Sequence, residues 1–250
     1  MPSTTIEITM PEGVAEAYVA RPDDGDHPGV LFHVDAIGLR PRTREMADRI
    51  ASWGYVVLAP HAFYRDGAAA DLAPQADLMQ AGAREEFFGA VMPRVRAHTP
   101  DRSDPDLDAY LAALLGLPGV LGPRVGMTGY CIGGRLAIRA AGLRPDVIAA
   151  AAAFHAGGIV TDGSDSPHLL ATRASGEILA GHADQDGSNP AEAVAAFEEA
   201  LAEAGITYSS AIYPGAQHGF TMADTSTYDE PATERHFTEL EGLLRRTLSR

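Results

Sequence analysis

One stretch constrains this chain more than any other: Arg124-Val125-Gly126-Met127-Thr128-Gly129-Tyr130-Cys131-Ile132-Gly133-Gly134-Arg135-Leu136-Ala137-Ile138. A β-prone run meets a Gly-x-Cys-x-Gly-Gly turn and continues into helix formers, which is the strand–turn–helix context of a nucleophile elbow. Gly129 and Gly133 let strand and helix approach where a Cβ would clash. Cys131, at the apex, is placed at a helix N-terminus, where orphan N–H groups and the macrodipole favour a thiolate. The N–H of the next residue, Ile132, is then aimed at an oxyanion forming on an attacked carbonyl. The plainer alternative is a cysteine packed in the core, among the most buried of residue types. A core cysteine, however, requires neither flanking glycines nor a switch from strand to helix.

Composition narrows the partners. A chain of 250 residues with 46% hydrophobic content suits one sizeable domain, 1–250, since α/β domains of this size commonly stay undivided. A formal charge of −15 argues against nucleic acid or an anionic membrane surface as partner. The 19 basic residues are all arginine, which rules out a lysine Schiff base. Met1-Pro2-Ser3-Thr4-Thr5 has no signal-peptide pattern, and no apolar run approaches the ~20 residues that span a bilayer, so a cytoplasmic protein is expected. One cysteine allows no internal disulfide, and no Cys/His cluster has zinc-ligand spacing, so no metal is expected.

In chain order, Thr4 to Met10 and Val14 to Ala20 read as a hairpin split by Pro11-Glu12-Gly13. Gly29 to Val34 reads as a buried strand followed by the loop Asp35-Ala36-Ile37-Gly38, then a helix from about Arg42 to Trp53 and the strand Tyr55 to Ala59. Ala68 to Pro105 is poorly patterned, with helical pieces around Asp77 to Val91, and Asp106 to Leu117 is a clearer helix. Beyond the elbow, strands are predicted at Val147 to Phe154, Glu177 to Ala180 and Thr207 to Tyr213, with helices at Pro190 to Ala204 and Tyr228 to Leu248. Such alternation predicts an α/β fold, a mostly parallel central sheet with helices on both faces.

In sheets of this kind, function lies in loops beyond the carboxyl ends of the strands. The loop Gly181-His182-Ala183-Asp184-Gln185-Asp186-Gly187 carries two acids past one strand, and Gly215-Ala216-Gln217-His218-Gly219-Phe220 carries a histidine past the next. The order nucleophile, acid, histidine is that of the α/β-hydrolase arrangement. Asp184 is the expected acid, with Asp186 as the alternative. An Asp in such a place is also a common turn residue or helix cap. His33, His61, His155 and His182 read as structural or pocket residues, since none follows the last strand.

With these motifs in view, the chain resembles the dienelactone hydrolase family of α/β hydrolases over most of its length. The resemblance rests on Gly129-Tyr130-Cys131-Ile132-Gly133-Gly134, Gly181-His182-Ala183-Asp184, Gly215-Ala216-Gln217-His218-Gly219-Phe220 and Gly54-Tyr55-Val56-Val57-Leu58-Ala59-Pro60. It implies an α/β-hydrolase fold and a cysteine hydrolase with the triad Cys131, Asp184 and His218, opening lactones or esters without a cofactor. It also aligns Asp35 with a position where the family commonly has Glu beside the thiol, so Asp35 is a shorter supporting carboxylate.

The expected mechanism is acyl transfer through a thioacyl-enzyme, with His218 as base and the N–H groups of Ile132 and Ala36 holding the oxyanion. The resemblance implies the family's preference for carboxylate-bearing lactones and hence a cation in the pocket, for which Arg84 is the candidate. Asp35 is expected to oppose thiolate formation in the free enzyme, its alternative role being a cap on its own loop. The expected partner is a small-molecule lactone or ester, and the expected state a monomer or small homo-oligomer. Competing readings are a general carboxylesterase or thioesterase of the same fold, a non-catalytic binding protein, and a redox-responsive thiol protein.

Overall fold

In the computed structural model, which describes residues 3–248, the chain gathers into two compact units. The first is built of residues 3–123 with 224–226, the second of residues 124–223 with 227–248.

The first unit opens with the expected hairpin. Strand β1 (Ser3–Met10) runs antiparallel to β2 (Gly13–Ala20), with Met10 opposite Gly13. β2 pairs antiparallel with β4 (Val56–Pro60), which lies parallel to β3 (His27–His33). The order is therefore β1-β2-β4-β3. Helix α1 (Pro41–Ser52) joins β3 to β4 and buries Thr43, Met46, Ala47, Ile50 and Ala51, the i, i+3, i+4, i+7 face of an amphipathic helix. The weakly patterned region folds as α2 (Ala69–Leu72), α3 (Ala83–Ala97) and α4 (Pro100–Leu115). α4 begins earlier than its pattern suggests, because Pro100 in the first turn starts a helix; Pro105 lies inside it.

The second unit is a parallel set. From Arg124 onward, β5 (Val120–Tyr130) pairs with β6 (Ile148–Phe154), then come β7 (Glu177–Ala183) and β8 (Tyr208–Tyr213), every pair parallel. β6 is Ile-Ala-Ala-Ala-Ala-Ala-Phe and buried throughout. Alanine prefers helices, so this is packing overriding local propensity. Its small side chains suit a strand covered on both faces. The connecting helices are α5 (Ile132–Leu143), α6 (Pro167–Ala171), α7 (Ala191–Glu203) and α8 (Glu230–Thr247). α8 is well delimited: Asp229 accepts from the Ala232 N–H at 2.9 Å, Glu230 lies in the first turn, and Arg245 and Arg246 in the last complement the macrodipole. Among the described residues, no helix is long and apolar enough to cross a membrane.

Candidate active site

The site is built from the ends of β5, β6, β7 and β8 in the second unit. Cys131 follows β5 and precedes α5, with φ 57° and ψ −119°. A non-glycine residue holds such a conformation only where its surroundings impose it. Here the Cys131 N–H donates to Phe154 O at 3.1 Å, and its carbonyl accepts from Gly134 and Arg135, which starts the helix. The glycine requirement is literal: a Cβ on Gly129 would stand 2.0 Å from the Gly133 carbonyl oxygen. Ile132 is the first residue of α5, so its N–H is one of the orphan donors at that helix end.

His218 lies in the turn after β8. Its imidazole is hydrogen-bonded to the Cys131 thiol and, through Nδ1, to Asp186 Oδ2 at 2.6 Å. Asp186 is itself held: Oδ1 accepts from the Ser188 N–H at 2.8 Å and from Ser188 Oγ at 2.7 Å. Burial pulls the His218 imidazole down, but the charge of Cys131, the bonds to Asp186 and Cys131 and the charge of Asp186 outweigh it and push His218 up to about 10. Burial likewise works against the Asp186 carboxylate, yet His218 and Ser188 hold it at about 2. Both shifts favour an imidazolium paired with the Asp186 carboxylate.

The acid paired with His218 is thus Asp186, which corrects the expectation of Asp184. The reason lies in where β7 ends. The strand continues through His182 and Ala183, leaving Asp184 at its tip, where its N–H donates to Ala216 O and its Oδ2 accepts from the Gly215 N–H, each at 2.8 Å. Asp184 therefore ties the β7 end to the turn that carries His218. Gln185 then takes a positive φ of 52°, and the reversal delivers Asp186 to the imidazole.

His155 follows β6 in the same manner, with φ 38° and its N–H on Gly181 O at 2.8 Å. Its buried ring stands 5.3 Å from that of His218 and 5.1 Å from that of Phe220, with Nε2 at 2.8 Å from Thr221 Oγ1. Burial, and then the His218 charge, pull it well below the ordinary histidine value, so it walls the site as a neutral ring. His182 is structural: its nitrogens meet Asn189 Nδ2 and Ser210 Oγ, each at 3.0 Å.

The remaining expected residues belong to the first unit. Asp35 and Ala36 lie in the loop between β3 and α1. Asp35 Oδ1 accepts from the N–H groups of Ile37 and Gly38, and both its oxygens pair with Arg40, at 2.7 and 3.0 Å. Arg40 is 5% exposed and also grips Asp224. The Asp35 contacts are those of the loop cap, with a buried arginine added that the sequence did not announce. Arg84 lies over the Phe88 ring at 4.7 Å, while Arg94, near the other end of α3, donates to Ala36 O at 2.8 Å and stacks on Phe63. Arg135 lies one helical turn from Cys131, a spacing visible in the sequence. Among the described residues, no group of three or more His, Cys, Asp or Glu side chains could hold a metal ion.

The model of the dienelactone hydrolase family matches residues 15–248, which runs through both units. The chain is 29% identical over 236 residues to a protein from Methylorubrum extorquens provisionally named carboxymethylenebutenolidase, covering 92% of this chain and 76% of that one. It is 26% identical over 250 residues to one of the same provisional name from Synechocystis, covering 98% and 97%. A crystal structure provisionally named dienelactone hydrolase, from Klebsiella pneumoniae, superposes with TM-score 0.81 at 23% identity over 97% of each chain, a likeness of fold. The chain belongs to the dienelactone hydrolase family. It is a hydrolase of the α/β-hydrolase fold.

Proposed function

We propose that this chain, acting as one domain over 1–250, opens lactones or cleaves carboxylic esters through a triad of Cys131, His218 and Asp186. The observation that carries the reading is the continuous contact from the strained elbow thiol through His218 to Asp186. Asp186 fixes the imidazole tautomer and stabilises its positive charge.

The Cys131 thiolate attacks the substrate carbonyl carbon, and the oxyanion is met by the Ile132 N–H. The second donor is the Ala36 N–H, a role taken from the sequence reading. One such donor typically contributes about 3–4 kcal/mol of transition-state stabilisation. As the C–O bond breaks, imidazolium His218 gives its proton to the leaving alkoxide. Neutral His218 then takes a proton from water, which attacks the thioester carbonyl and expels the thiolate. In a lactone the alkoxide stays tethered, so one ring-opened hydroxy acid or its keto tautomer is released. Relatives named as carboxymethylenebutenolidases support an unsaturated lactone as substrate.

Intact-mass measurement during turnover of a panel of lactones and aryl esters tests the reading. An acyl adduct on Cys131, absent in Cys131→Ala together with the activity, is the expected result. Turnover in Cys131→Ala within about tenfold of the native rate would refute it.

A further inference from the structure

Among the described residues, three that are not glycine hold a positive φ: Cys131 at 57°, His155 at 38° and Gln185 at 52°. They lie just beyond the ends of β5, β6 and β7 in turn. Such strain persists only where the surrounding fold imposes it, and it gathers at functional positions. Two of the three are accounted for by the triad, Cys131 as its nucleophile and Gln185 as the reversal that delivers Asp186. Resting on that reading of the triad, we propose that His155 is a positioning residue for His218, its ring fixing the plane of the catalytic imidazole between Cys131 and Asp186.

The bond from His218 Nδ1 to Asp186 holds one edge of the imidazole and leaves the ring free to tilt about it. The ring of His155 stands against His218 edge-to-face, centroids 5.3 Å apart and planes at 63°, and removes that freedom. His155 is itself immobilised. It is buried, packs edge-to-face on Phe220 at 5.1 Å, lies 6.0 Å from the Tyr130 ring, and sets Nε2 at 2.8 Å from Thr221 Oγ1. Phe220 and Thr221 belong to the stretch that carries His218, so His155 ties the loop after β6 to that stretch at two further points. The backbone beyond it continues the support, since a Cβ on Gly157 would stand 3.8 Å from His218 Cε1. The titratable groups facing His218 are Cys131 and Asp186, with Ser188 Oγ at 3.4 Å; those facing His155 are His218, Asp186, Tyr130 and His236 of α8. All belong to the second unit. Because His155 stays neutral, it braces His218 without competing for the Asp186 carboxylate.

Asparagine tolerates a positive φ, so His155→Asn removes the ring while sparing the backbone. On an aryl ester its kcat should fall about 30-fold with KM within about twofold, since a misplaced base slows chemistry more than binding. NMR titration should place the His218 midpoint at least about one unit below the native one, because the released imidazole loses its contacts with Cys131 and Asp186. His155→Phe restores a ring without the Thr221 bond and should recover most of kcat and the native midpoint. A native kcat or an unmoved midpoint in His155→Asn overturns the proposal, the latter marking a packing defect alone. Equal losses in the Asn and Phe variants overturn it as well. If circular dichroism shows that His155→Asn does not fold, Thr221→Val carries the test by releasing the tether of the ring: kcat about fivefold lower and a lowered midpoint are expected, and a native value of either overturns the proposal. Turnover in Cys131→Ala would refute the triad itself, a result separate from all of these.

Discussion

His218 Nδ1 stands 2.6 Å from Asp186 Oδ2, whereas Asp184, two residues earlier, is spent on the Gly215 N–H. The two acids therefore carry different duties, one electrostatic and one architectural. Asp186→Asn should lower kcat on an aryl ester by about 10⁴, because the imidazole loses its tautomer control and its counter-charge. Asp184→Asn keeps an oxygen for the Gly215 N–H and should cost less than about tenfold. Steady-state kinetics of both variants decide this, and the reverse ranking would return the acid to Asp184.

The coupling of His218 to Cys131 is open to titration. With His218 at about 10 against an ordinary 6.5, the stability its protonation contributes is complete below about 6.5 and lost as pH rises through about 10. The proposed mechanism puts a thiolate at Cys131, so Cys131→Ser should lower the His218 midpoint by more than about one unit. NMR titration of the imidazole measures both midpoints. The same value in the two proteins would show that the thiolate does not hold the proton on His218.

Elbow packing gives a stability contrast between two glycines. Gly129→Ala drives a Cβ into the Gly133 carbonyl, backbone that cannot yield, and should cost about 3 kcal/mol or more. Gly89 lies within α3 with nothing inside 4 Å of its would-be Cβ, so Gly89→Ala should add up to about 1 kcal/mol. Urea denaturation of the two variants should give shifts of opposite sign.

The Asp35–Arg40–Asp224 cluster tests the loop after β3. Stripping a buried charge of its partner typically costs about 3–5 kcal/mol, but Asp224 remains on Arg40 in Asp35→Asn, so a loss of about 2 kcal/mol is expected. Chemical denaturation measures it, with Cys131 alkylation near neutral pH followed alongside. Undiminished stability with faster alkylation would assign Asp35 to restraining the thiol instead.

The sequence by itself determined the local devices. The hairpin was legible in its punctuation and the elbow in its glycines, because each depends on residues adjacent in sequence. Tertiary structure decided which groups reach one another. Whether Asp184 or Asp186 meets His218 depends on β7 running two residues past Gly181, where it still pairs with β8, and on the positive φ of Gln185. The grip of Arg40 on Asp224, far along the chain, has no periodic signature either. A side chain's partner is set by distance in space and by the cost of desolvating what remains unpaired, and neither quantity is written in local sequence.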